Sequence, residues 1–192
     1  YEVSGLYAIA SKIPALLTVI SAVFLQSWQI SAVEEIKSKD NSFYYSDVMK
    51  SLTQFLIIIV SAILLFLQFI MSHFVSSNFY DAWVLVPILF IGVIFSNLSQ
   101  FVGMSYLASM NTTGNLVTSI LGAVICVILN FIFVPSLSSN GASLAMALSF
   151  AIVFTIRIFD TKKYVQIKVN WVGLLVLLLL LSVQSILLVS GY

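Results

Sequence analysis

The side chains in this sequence that could do chemistry are few, and most are set in runs of apolar residues. Lys12, in GLYAIASKIPAL, falls about two helical turns into the first such run, roughly 10 Å below its end at 1.5 Å per residue. An ammonium held centrally against lipid costs roughly 2.5 kcal/mol or more. Two readings of Lys12 stay open: a cation lining a water-filled cavity that meets an anionic substrate, or a side chain that snorkels to the headgroups or pairs with Glu2. Pro14, two residues on, removes a helical hydrogen bond and clashes with the Ala10 carbonyl, so the helix should kink beside Lys12. The amides form a second group: Gln26 and Gln29, Gln54 and Gln68, Asn97 and Gln100, and Asn130. Asn97 and Gln100 are spaced i, i+3, which puts them on one helix face with Ser96, Ser99 and Gly103 nearby. Such amides either line a cavity for hydroxyl-rich ligands such as sugars or bond neighbouring helices together. Gly141, Ala145 and Ser149 make a small-residue stripe suited to close helix packing.

Other chemistries find little footing. Ser143 and His73 could be imagined as an intramembrane protease dyad, but the residue after the serine is Leu144 where such sites have glycine. One cysteine, Cys126, excludes an internal disulfide and a cysteine zinc cluster, and one histidine argues against a histidine metal site. No cofactor or metal is expected, and the reading is not that of an enzyme. No carboxylate lies deep in an apolar run, since Glu2, Asp81 and Asp160 are all near ends.

The elements that position these residues follow from composition. Of 192 residues, 61% are hydrophobic and 8% charged, against about 25% charged in a typical soluble domain. The mean hydropathy of +1.13 points to lipid as the solvent for most of the chain. Six apolar runs are long enough to span the bilayer: Gly5 to Ile30, Leu52 to Phe74, Ala82 to Leu107, Leu116 to Val134, Gly141 to Phe159 and Trp171 to Val189. None alternates as a membrane β-barrel strand does, and backbone groups in lipid must pair within their own segment. An all-α, polytopic membrane helix bundle of six transmembrane helices is the expectation, with polar connections at Ser31 to Ser51, SSNFYD, SMNTTGN, SLSSN and Asp160 to Asn170.

Alternation of six helices puts seven of the eight Lys and Arg residues on one side, and the opposite connections hold none. By the positive-inside rule that side is the cytoplasm. Net charge is only +1, so nucleic acid is not an expected partner. Trp28, Trp83 and Trp171 fall near span ends, as an interfacial aromatic belt requires. Both chain ends would then lie outside, which suggests a piece of a longer protein with helices before and after it.

Three stretches resemble bacterial polysaccharide flippases, the O-antigen, teichoic acid and capsule repeat-unit exporters of the multidrug/oligosaccharidyl-lipid/polysaccharide exporter superfamily. They are VSGLYAIASKIPAL, with its G-x-Y-x-x-A-x-K pattern; NFYDAWVLVPILFIGVIFSNLSQFVGMSYLAS, with F-x-x-A-x-x-x-x-P; and LNFIFVPSLSSNGASLAMALSFAI, which carries Asn130, Pro135, Gly141, Ala142, Ala145 and Ser149. The likeness covers Val3 to about Lys163, with SLSSN replacing the family's tyrosine-glycine turn. It implies the C-terminal lobe of a two-lobed transporter, in the bacterial cytoplasmic (inner) membrane. It further implies alternating-access transfer of undecaprenyl-diphosphate-linked oligosaccharide, with the N-terminal lobe, membrane lipid and a polysaccharide polymerase as partners. Cationic cavity residues in the family face the diphosphate, so Lys12 becomes the first candidate and Arg157 the second, at the cytoplasmic mouth; Gln26, Asn97, Gln100 and Asn130 are candidate cavity lining. The alternatives are a cation-coupled multidrug exporter of the same superfamily or a membrane bundle that transports nothing.

Overall fold

In a computed structural model the described residues are 2–74 and 82–190; the whole of SSNFYD with its Asp81, both terminal tyrosines and the Glu2 side chain lie outside the description. The described chain is helical, with no strand: α1 (Glu2–Ala10), α2 (Lys12–Glu35), α3 (Asn41–Leu65), α4 (Leu67–Phe74), α5 (Val86–Ala108), α6 (Thr112–Asp160) and α7 (Trp171–Ser190). Four apolar helical stretches are long enough to cross a membrane, and the chain is a membrane-embedded helical bundle.

The 49 residues of α6 would extend about 74 Å as one rod, more than twice the hydrocarbon thickness. The chain reverses instead at Ser138, whose φ of 51° and ψ of −126° leave the helical region. Three close approaches locate the reversal. A Cβ on Gly141 would lie 2.6 Å from the Phe133 carbonyl carbon, one on Gly122 would lie 2.6 Å from Val153 Cγ2, and Arg157 Nε donates to Thr118 Oγ1 at 3.1 Å. Each pair is centred on residues 137–138, the mark of two antiparallel arms, 112–137 and 139–160. SLSSN is therefore not a loop but the tight turn of a helical hairpin, and Gly141 is the residue that lets the arms meet there.

Helix lengths exceed the apolar runs. α3 begins at Asn41, so the polar connection expected from Ser31 to Ser51 shrinks to 36–40. The first arm of α6 begins at Thr112, where Asn111 Oδ1 accepts from the Gly114 N–H at 3.3 Å and caps it. The first span is interrupted at Ser11, between α1 and α2 and three residues before Pro14, whose ring leaves the Ala10 carbonyl without its usual donor. Helix α5 ends in a Schellman turn: Asn111 N–H donates to the Tyr106 carbonyl at 2.8 Å and Met110 N–H to Leu107 at 3.0 Å, with Met110 at φ 59°.

The core lies where α2, α3 and α5 meet, with α5 central. Trp28 stacks on Phe101 with ring centroids 4.4 Å apart and donates from Nε1 to the Phe101 carbonyl at 3.4 Å, and Tyr45 closes edge-on at 4.8 Å. This corrects the aromatic-belt expectation. Trp28 and Trp83 are 3% and 6% exposed and pack inside the protein; Trp171 alone is open, at 40%. Against the other flank of α5 the second arm of α6 packs closely, and a Cβ on Gly92 would sit 3.3 Å from Ala147 Cα. On α7, Gln184 Oε1 accepts from Ser61 Oγ at 2.9 Å and Gln184 Nε2 donates to the Ser61 carbonyl at 3.0 Å, a two-way clamp onto α3.

The charged connections gather at one end. The 161–170 connection runs beside the start of α3, with Gln166 N–H donating to Ser42 Oγ and Lys168 N–H to Ser46 Oγ. Asn111 Nδ2 donates to Tyr164 Oη, and Tyr106 Oη donates to Asp160 Oδ2 at 2.8 Å. Helices α2, α5 and the second arm of α6 run toward this end, and α3, the first arm and α7 run away from it.

Candidate functional site

Between α5 and the two arms of α6 lies a cavity of about 490 Å³. Helix α5 contributes Ser96, Ser99 and Gln100; the first arm contributes Ser119, Gly122, Ala123 and Cys126; the second arm contributes Ser149, Phe150, Val153 and Arg157. The wall thus sets four hydroxyls, one amide and a single charged group among small and apolar side chains, Phe150 and Val153 included. The hairpin creates it: only when the arms reverse do residues some 38 positions apart, such as Ser119 and Arg157, face each other.

Arg157 is 6% exposed, and its guanidinium is held by α5 and the first arm of α6. Nε donates to Thr118 Oγ1 at 3.1 Å, Nη1 to the Ser99 carbonyl at 2.9 Å, and Nη2 to Asn115 Oδ1 at 3.0 Å and Ser119 Oγ at 2.9 Å. Of five guanidinium N–H groups these bonds use four. Gly103 makes the space, since a Cβ there would be 2.7 Å from Nη1. All four acceptors are neutral. The nearest acid in sequence, Asp160, is taken by Lys163 at 3.0 Å and by Tyr106, and no ion pair joins Arg157 to a carboxylate among the described residues. A buried cation normally needs a counter-charge. Here no described carboxylate compensates its charge, on the wall of a cavity that also carries four serine hydroxyls and an amide, an arrangement suited to an anion.

The sequence-derived candidates divide accordingly. Gln100 and Arg157 line the cavity together, and Gln100 Nε2 donates to Ser96 Oγ at 3.3 Å. Asn97 does not join them: it is 1% exposed on the core side of α5, donating to the Val93 carbonyl at 2.8 Å, with its Oδ1 unpartnered. The expected shared face of Asn97 and Gln100 is split, because the boundary between core and cavity passes between them. Asn130 is half-buried, bonded to the Cys126 carbonyl at 2.8 Å, beside a trough of about 390 Å³ formed by Val127, Phe131, Val134 and Pro135. Lys12 and Gln26 are exposed and line none of this cavity. Lys12 pairs with no described residue. Ser143 donates to the Ser139 carbonyl at 3.1 Å and His73 Nδ1 lies 3.0 Å from the Phe69 carbonyl, each within its own helix.

Sequence reasoning missed Asn115, Thr118 and Ser119. They repeat at i, i+3, i+4 and so share a face, a readable signal, but Asn115 falls in SMNTTGN, whose polarity reads as a connection. Gln184 and Ser61, the α3–α7 clamp, were missed as well; a lone amide in a leucine run is the signal there.

No protein-family model, curated protein or solved structure matches this chain.

Proposed function

We propose that this chain is one lobe of a membrane transporter whose cavity holds the anionic part of an undecaprenyl-diphosphate-linked oligosaccharide, transferred between leaflets by alternating access for surface polysaccharide synthesis. The observation that carries the reading is Arg157, buried, without a carboxylate among the described residues, on the wall of a cavity that also presents four serine hydroxyls and an amide among apolar side chains. Guanidinium groups suit phosphate oxygens, and hydroxyls and amides suit sugars. A cationic wall disfavours cationic drugs, the exporter alternative. The headgroup role passes from Lys12 to Arg157, which the flippase resemblance placed second. The gathering of seven basic residues at one end supports placing that end in the cytoplasm of a bacterial inner membrane. The second lobe would complete the cavity, with a polysaccharide polymerase acting on the product outside.

The test is Arg157→Gln in the chromosomal gene. Undecaprenyl-linked oligosaccharide is expected to accumulate and surface polysaccharide to fall, at unchanged membrane insertion, with Arg157→Lys intermediate. Normal export by a fully inserted Arg157→Gln protein would remove the reading.

A further inference from the structure

A second cavity, of about 160 Å³, lies at the charged end between α3 and the start of α7, and shares no lining residue with the Arg157 cavity. Lys50 and Lys168 flank it, with Gln54 and Asn170 on its rim and Leu174 and Leu177 deeper. The apolar run of α3 begins at Leu52, two residues after Lys50, and α7 begins at Trp171, three after Lys168. Both lysines therefore stand at the level where hydrocarbon gives way to headgroups. The backbone fixes them there: Lys168 N–H donates to Ser46 Oγ at 2.8 Å, one turn before Lys50 on α3. Neither ammonium has an ion-pair or hydrogen-bond partner among the described residues, and Asp47, the acid nearest to Lys50 in sequence, forms no bridge to it. At ~30 Å³ per water the cavity has room for about five, enough for a phosphodiester.

We infer that this cleft binds the headgroup of an anionic phospholipid from the leaflet at the charged end, its phosphate bridging Lys50 and Lys168 and its chain descending beside Leu174 and Leu177. The lipid acts as a tie. Helix α7 exposes Val172, Leu175, Leu179 and Val183 and is clamped to α3 through Gln184, so an anion between two otherwise repelling lysines fastens its other end.

The experiment titrates the full-length protein, in neutral detergent, with dioleoylphosphatidylglycerol, dioleoylphosphatidylcholine or inorganic phosphate, and counts retained lipid by native mass spectrometry. Phosphatidylglycerol is expected to bind and the other two not. At roughly fivefold per lysine, Lys50→Gln/Lys168→Gln should weaken it about 30-fold. Lys37→Gln/Lys39→Gln, which removes equal charge at the same end outside the cleft, should leave it nearly unchanged. Lys50→Arg/Lys168→Arg should retain it, and where the double glutamine variant fails to fold, each single variant should show its own fivefold loss. Equal loss in both double glutamine variants, no loss in the Lys50/Lys168 set, or displacement of the lipid by inorganic phosphate would overturn the inference.

Discussion

Gly141→Ala should destabilise the protein, although the same change inside an ordinary helix stabilises it by about 1 kcal/mol. The added Cβ would lie 2.6 Å from the Phe133 carbonyl carbon and 2.9 Å from the Val134 nitrogen. Both are backbone atoms, so neither can swing away, and relief requires the arms of α6 to part. Overpacking of this kind costs about 1–3 kcal/mol. Ser138→Gly should have the opposite effect. With φ at 51° and ψ at −126°, Ser138 occupies a region that costs a side-chain-bearing residue about 1–3 kcal/mol and glycine far less. In a continuous helix, glycine at 138 would be worse than serine. The two substitutions thus have signs set by the reversal. Thermal unfolding of the full-length protein in neutral detergent reads them. A cross-link reads the geometry directly: a Cβ at 122 lies 3.8 Å from the Val153 Cβ, about the mean separation in disulfides. In a Cys126→Ser background, Gly122→Cys/Val153→Cys should oxidise to a bridge that links the arms. A stabilised Gly141→Ala protein together with no bridge on oxidation would refute the hairpin.

Gly103→Ala should push Arg157 Nη1 off the Ser99 carbonyl and cost about 1–2 kcal/mol, read as lower thermal stability with unchanged helicity by circular dichroism. Gln184→Leu should cost about 1 kcal/mol, since interhelical bonds in membranes average about 0.6 each. A double-mutant cycle with Ser61→Ala should show a coupling of about 0.6 kcal/mol, the share of the Ser61 Oγ bond, because the bond to the Ser61 carbonyl survives the alanine; additivity would remove the hydroxyl bond from the account.

Much of the architecture was legible because lipid imposes a simple rule. Apolar runs of about 20 residues had to be helices, and the charged residues sorted them into two directions. The same rule misjudged boundaries. Hydrophobicity reports where lipid ends and not where the helix ends, so α3 extends 11 residues before Leu52 and the first arm of α6 starts before Leu116. Trp28 was misplaced because position along the membrane normal does not say whether a side chain faces lipid or Phe101. For the candidate site, depth in an apolar run does not report burial. Lys12 drew notice by its isolation in an apolar run, yet it is exposed, whereas Arg157, near a charged connection, is the buried cation. Its environment comes from Ser99, Asn115, Thr118 and Ser119 on two other helical segments, and Gly103 supplies the space. No spacing within one helix encodes that convergence. What could have been read was the polar face of the first arm opposite a basic residue on the second.

The most direct test of the account is the affinity of purified full-length protein for a polyprenyl diphosphate in neutral detergent, compared between wild type and Arg157→Gln. A charge-assisted hydrogen bond contributes about 1.5–3 kcal/mol, so losing one should weaken binding about 10- to 100-fold, while Arg157→Lys keeps part of it and neutral polyprenol binds both proteins alike. An Arg157→Gln protein that is folded and binds the diphosphate as tightly as wild type would contradict the claim that this buried cation recognises the substrate.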